Sequence, residues 1–227
     1  MSDSDLPDPH ILQKYAELLV QLDLGDGHVV REGNVVECTL PDTARAFAPF
    51  LQTAILKLGA HPLFTFSQDD LQESFYSSAS QKQLEFFPRQ YFQAKADCID
   101  REIYIIADDL DPLFYNEHLS QVLLRNKAQK EYRDMLRVKS AKGRFSTIIA
   151  LWGTELRAKR AGLTLSEYWQ NITNYCLLHT ANPVEAWQSI FKQQQKIVQT
   201  LNSMDIQKLR VESPHIQLSI TIGEQRQ

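Results

Sequence analysis

Glycine is scarce in this chain, with 8 residues in 227, and none of them sits in a pattern that cradles phosphate. Gly25-Asp26-Gly27 is neither a GxGxxG nor a P-loop, and it follows a helix-like segment where those motifs follow a strand. A GxSxG nucleophile elbow is also absent. The three cysteines, Cys38, Cys98 and Cys176, are far apart and form no CxxC pair. That argues against a disulfide framework or a cysteine zinc site and fits a reducing cytoplasm. No apolar run approaches the roughly 20 residues that span a bilayer, and the acidic opening Met1-Ser2-Asp3-Ser4-Asp5 is unlike a signal peptide. The expected location is the cytoplasm, with no membrane partner. A net charge of −4 provides no basic field, so no nucleic-acid partner is expected.

What is present reads as a core-forming globular chain, 43% hydrophobic and 23% charged, long enough for one large domain or two small ones. Asp8 and Pro9 open a helix whose apolar face carries Ile11, Leu12, Tyr15, Leu18, Leu19 and Leu22, with Gly25 beyond its end. Strands are expected at 34–40, 61–66, 102–107 and 145–151. Helices are expected through Ala46 to Leu58, where Pro49 leaves the start open, at 68–78, and as one long charged helix over 118–138. Apolar strands separated by helices predict a parallel sheet covered on both faces and joined by right-handed crossovers.

Beyond Trp152 the pattern changes to consecutive helices. Thr164-Leu165-Ser166-Glu167 is a capping box. It opens a helix whose buried face is expected to carry Leu165, Tyr168, Trp169, Ile172, Tyr175 and Cys176. Asn182-Pro183-Val184-Glu185 opens another, with Trp187, Ile190, Phe191, Val198 and Leu201 facing inward. Leu209 to Val211, a turn at Ser213-Pro214-His215, and the alternating Ile216, Leu218, Ile220 and Ile222 predict a hairpin with one buried face. The fold class is therefore α/β: a mostly parallel sheet with helices on both faces, followed by a helical segment and a terminal β-hairpin. The sheet portion is placed at residues 1–152, with 153–227 packed as part of the same domain.

Few residues offer chemistry. Asp108, Asp109 and Asp111 follow a parallel strand, where open α/β sheets bind ligands and carboxylates can hold a hard cation. A plain strand-to-loop turn is the favoured reading, because no basic or phosphate-binding partner accompanies them. His10, His28, His61, His118, His179 and His215 include no i, i+4 pair and no HExxH. A basic run, Arg125, Lys127, Lys130, Arg133, Arg137, Lys139, Lys142 and Arg144, reads as a solvated helix face or as a docking surface for an acidic partner. Trp152, Tyr168, Trp169 and Trp187 have core spacing. Residue chemistry alone assigns no catalytic, cofactor-binding or metal-binding residue.

Several segments taken together resemble one family. Tyr15-Ala16-Glu17-Leu18-Leu19-Val20 is similar to the opening helix of the aminopeptidase T/S family of metal-dependent aminopeptidases. Ala54 to Pro62, with Gly59-Ala60 before a strand, resembles that family's second helix. Ala161-Gly162-Leu163-Thr164-Leu165-Ser166-Glu167-Tyr168-Trp169 resembles its "AGMSLEEY" helix, with Leu163 in place of Met. Asn182-Pro183-Val184-Glu185-Ala186-Trp187 resembles "DPVAAW", with Asn182 in place of Asp. Leu201-Asn202 and Ile216 to Glu224 resemble the segments that close the family's amino-terminal half.

The resemblance implies a parent enzyme that releases amino acids from the free amino terminus of peptides with two divalent metal ions, zinc or cobalt. It also implies that the metal ligands lie in a carboxy-terminal half, so the catalytic domain is expected to be absent beyond residue 227. This chain is then expected to be inactive by itself, to meet peptide substrate only through that other half, and to form a homo-oligomer such as a dimer. The chain is either a piece of a longer protein or a natural short one. The alternative function is a non-enzymatic interaction module that kept the scaffold without the metal site.

Overall fold

The computed structural model describes residues 6–22, 29–107, 112–204 and 206–221. The chain divides into two compact units, Met1–Trp187 and Gln188–Gln227. The first is built on four parallel strands: β1 (Val35–Pro41), β2 (His61–Ser67), β3 (Arg101–Ile106) and β4 (Ser146–Leu151), in the spatial order β2-β1-β3-β4. The parallel α/β architecture read from the sequence is the architecture found.

Helix α1 (Pro9–Gln21) starts as its sequence dictates, with the Asp8 carboxylate accepting the His10 amide at 2.7 Å and Pro9 in the first turn. Pro49 marks the first turn of α2 (Ala48–Lys57), preceded by a 3₁₀ segment over Asp42–Phe47. At that position its missing amide costs no helical hydrogen bond. Gly59 ends the helix with φ +71°, where a Cβ would also meet Glu32 Cγ at 3.0 Å.

The chain between β2 and β3 carries α3 (Asp69–Ser78), α4 (Gln81–Leu84) and α5 (Arg89–Cys98). Sequence periodicity did not reveal the last two. After α6 (Pro112–Glu117), the long charged helix expected over 118–138 is instead two helices, α7 (Leu119–Ala128) and α8 (Lys130–Ala141). It breaks at Gln129, where ψ is 0°, although neither glycine nor proline marks the site. The break lets α7 pack on α4 while α8 packs on α5.

One face of the sheet is the core. Val36, Cys38, Leu40, Ile103, Ile105, Ile148 and Ala150 are buried there, with Leu12, Tyr15, Leu19, Leu51 and Ile55 of α1 and α2. Aromatic rings run through the unit: Tyr15 to Phe47 at 5.4 Å, Phe47 to Trp152 at 5.3 Å, and Trp152 edge-on to Trp169 at 4.8 Å. The Tyr15 hydroxyl donates to the Leu151 carbonyl at 2.9 Å, tying α1 to the end of β4. The opposite face is only partly covered. Thr147, Ile149 (65% exposed) and Leu151 of β4 face out, so this strand is not buried on both faces as its apolar run suggested.

Helices α9 (Glu155–Arg160) and α10 (Leu165–Tyr175) complete most of the first unit. The capping box forms as read: the Glu167 amide donates to Thr164 Oγ1 at 3.3 Å, and Glu167 Oε2 accepts the Thr164 amide at 2.8 Å. Leu165, Trp169 and Ile172 are buried, but Tyr175 is 77% exposed and does not belong to the buried face. Helix α11 (Pro183–Ser203) starts with Asn182 Oδ1 accepting the Glu185 amide. Val198 and Leu201, expected to face inward, are exposed.

The second unit ends in β5 (Lys208–Ser213) and β6 (Ile216–Thr221), an antiparallel hairpin. Leu209 pairs with Ile220, Val211 with Leu218 and Ser213 with Ile216, so the apolar residues share one face as their alternation predicted. All of them are exposed, so that face is uncovered here. Ile222 lies outside the described residues.

Candidate functional site

Parallel sheets bind ligands beyond the carboxyl ends of their strands, where successive connections leave in opposite directions. In this sheet that point lies between β1 and β3, which are neighbours although β2 separates them in sequence. The segment following β3 contains Asp108, Asp109 and Asp111, so the acidic cluster follows a parallel strand as expected. The three aspartates themselves lie outside the described residues, as do Gly25, Asp26, Gly27 and His28.

The described histidines stay apart. His10 opens α1, His61 begins β2, His118 lies tilted against Phe114 with ring centres 4.5 Å apart, His179 follows α10, and His215 sits in the hairpin turn. Among the described residues no three His, Cys, Asp or Glu side chains gather to hold a metal ion. The donor set that the structure shows therefore does not fit the two-metal site implied by the family resemblance. Cysteine nucleophiles fare no better. Cys38 is buried beneath α1 and α2 with its thiol pushed up to about 12 by burial, and the neighbouring Glu37 charge adds to the shift. Burial alone pushes Cys176 up to about 11. Neither thiol is a ready thiolate at neutral pH.

The basic run from Arg125 to Arg144 is largely engaged within the unit. Arg125 donates to the Phe86 carbonyl at 2.8 Å and lies over the Phe75 ring. Lys130 and Arg137 both pair with Asp134, and Arg133 donates to the Asn126 carbonyl. Lys139 places Nζ on the carbonyls of Ala96, Asp97 and Ile99 at 3.0, 3.1 and 2.6 Å, closing the carboxyl end of α5. Such contacts describe a helix face used in packing more than one held ready for an acidic partner.

A cavity of about 460 Å³ opens at the amino ends of β1, β3 and β4, lined by Arg31, Asn34, Asp97, Asp100, Arg101 and Lys139 among others. Its buried polar groups serve the fold. Arg101, 3% exposed, donates to the carbonyls of Leu19 and Leu22 at the end of α1, at 3.1 and 3.0 Å. Asp100 Oδ2 accepts the Val35 amide at 2.9 Å and the Asn34 side-chain amide at 3.3 Å.

The most unusual chemistry lies on the other face of the sheet, and sequence reading missed it. Glu37, in the middle of β1, is 3% exposed. Its Oε1 meets Lys95 Nζ of α5 at 2.7 Å and accepts the Thr65 hydroxyl of β2 at 3.1 Å. Glu102 of β3 stands directly opposite Glu37 in the β1–β3 register. Burial raises the Glu102 carboxyl above the ordinary range, the Glu37 charge raises it further, and Lys95 opposes both. The signal available in the sequence was a glutamate interrupting each of two apolar strands, Val35-Val36-Glu37 and Glu102-Ile103.

No curated protein matches the chain at significance. Among solved structures, wild-type AmpT from Thermus thermophilus superposes with a TM-score of 0.72 at 18% identity, covering 93% of this chain and 53% of that one. The present chain thus spans about half the length of that relative, and at this identity the likeness concerns the fold. A family model described as thermophilic metalloprotease (M29) matches residues 9–227. That match takes in both the parallel sheet and the terminal hairpin, and the chain belongs to this metalloprotease family.

Proposed function

We propose that this chain is the amino-terminal half of a metal-dependent aminopeptidase that releases amino acids from peptides with a free amino terminus. The observation that carries the reading is the family match across residues 9–227. The fold agreement with about half of the AmpT chain adds to it. The absence of a three-ligand cluster among the described residues favours placing the metal ions, zinc or cobalt, on residues of a second half. This half would then wall substrate access or support assembly into a homo-oligomer, and no described side chain takes part in the hydrolysis.

The test uses the 227-residue chain as it stands. Incubated with aminoacyl chromogenic substrates and either zinc or cobalt, it should release no amino acid, and calorimetry should detect no tight metal binding. Metal-dependent turnover by this chain would sink the proposal. The positive arm is genomic: an open reading frame continuing past codon 227 into glutamate and histidine ligands supports it. A stop codon there would favour the interaction module.

A further inference from the structure

The polar cluster beneath α5 and α8 contains a hydrogen-bond imbalance. Glu37 Oε1 has two partners, Lys95 and Thr65, whereas Oε2 is buried with none. An unsatisfied carboxylate oxygen in a dry site costs free energy that native structures rarely tolerate. Strand β3 holds a group able to supply a donor, since Glu102 faces Glu37 in register. An ionised Glu102 cannot donate, but a protonated one can.

The charge count points the same way. Glu37 and Glu102 share the single ammonium of Lys95, which is only 23% exposed and lies 2.7 Å from Glu37. Two carboxylates in register beside one cation favour keeping one proton, because neighbouring like charges disfavour double ionisation. Among the described residues, Lys95 is the cation that acts on Glu102. From β4, Thr147 stands opposite Glu102. From β3, Tyr104 follows on the same face. From α8, Tyr132 contributes a buried hydroxyl without a partner. Its phenol is raised by burial and then by Glu37, Glu102 and Tyr91 of α5. Arg89 and Glu131 pair with each other at 2.6 Å on the exposed side of the α5–α8 seam.

We propose that Glu102 is a carboxylic acid in the folded chain, donating its proton to Oε2 of Glu37, and that this shared proton latches α5 and α8 onto the sheet. The seam is built to respond. Lys95 carries α5 onto β1, and α5 is joined to α8 by the Phe92–Tyr132 ring contact at 4.8 Å and by the Lys139 cap. When the proton leaves to solvent, the buried Glu37 and the half-buried Glu102 carboxylates face one ammonium, and the α5–α8 layer loosens. Glu102 titrates above its unfolded value, so its stabilising contribution is complete at low pH and is lost as pH rises through the raised folded value.

The deciding experiment is a carboxyl NMR titration of the intact chain labelled with ¹³C-glutamate, paired with amide hydrogen exchange corrected for intrinsic pH dependence. One glutamate should titrate above the ordinary range, and α5 and α8 amides should lose protection across that midpoint while α1 and α2 amides do not. The loss should approach about tenfold for each unit by which the midpoint is raised. Glu102→Gln, whose amide can still donate to Glu37, should remove that titration and keep α5 and α8 protected throughout. Glu37→Gln should lower the Glu102 titration without returning it to the ordinary range, because burial, the larger cause, remains. The proposal is overturned if every glutamate of the wild-type chain titrates ordinarily. It is equally overturned if the raised titration persists in Glu102→Gln, or if α5 and α8 protection is indifferent to the midpoint. The wild-type titration decides the matter even if a variant fails to fold, and it is independent of any peptidase assay.

Discussion

At the scale of single residues, close approach and buried charge decide the outcome. Gly153 follows Trp152 at the end of β4, and a Cβ there would lie 2.7 Å from Trp169 Nε1. The Trp169 ring is pinned edge-on against Trp152 and cannot withdraw easily. Gly153→Ala should therefore cost about 1–3 kcal/mol, the usual range for overpacking. The check is a lowered urea midpoint with little change in slope, and an unchanged midpoint would show that the ring can move. Removing the cation of the buried pair should be more damaging. Lys95→Met strands the Glu37 carboxylate beneath α5, and breaking such a pair from one side costs about 3–5 kcal/mol. Thermal unfolding at neutral pH measures it. A shift no larger than that of a surface lysine variant would mean that water reaches the site.

At the scale of elements, local rules held wherever a helix start was written in the chain. Asp8, Thr164 and Asn182 each cap the helix that the sequence assigned to them. Thr164→Ala removes the acceptor for the Glu167 amide, and α10 should lose about 1 kcal/mol. The Glu167 carboxyl is held below the ordinary range by its hydrogen bonds from the Thr164 backbone and side chain. Its contribution is present at neutral pH and lost as pH falls through that depressed value. Thr164→Ala keeps the backbone hydrogen bond, the larger cause, and removes the side-chain one, so it should make the acid limb of the stability profile shallower without abolishing it, measured by denaturant titration across pH.

The β5–β6 hairpin is a different case. Leu209, Val211, Leu218 and Ile220 form an apolar face whose side chains are exposed, and a two-stranded hairpin is marginal alone. We expect concentration-dependent self-association through the β6 edge, weakened by Ile220→Lys. Sedimentation finding a monomer at high concentration, unchanged by the substitution, would argue against it.

At the scale of the whole molecule, apolar strands alternating with helices made the parallel sheet legible, and the family resemblance was confirmed across nearly the whole chain. What stayed hidden depended on neighbours distant in sequence. The turn at Gln129 lacks any breaker residue and exists because α7 and α8 find different packing partners in α4 and α5. Glu37 and Glu102 read as isolated polar interruptions until the β1–β3 register set them side by side and α5, an element periodicity did not reveal, brought Lys95 over them.

The sequence by itself determined the caps, the strand positions and the fold class, because each rests on local propensity or on periodicity readable within a short window, and it pointed to the family through the resemblance of several short segments. Only the tertiary structure decided which strands adjoin and which apolar faces are covered. It also decided which charges must share a proton. Those outcomes depend on desolvation and contact between segments tens of residues apart, and no local pattern encodes them.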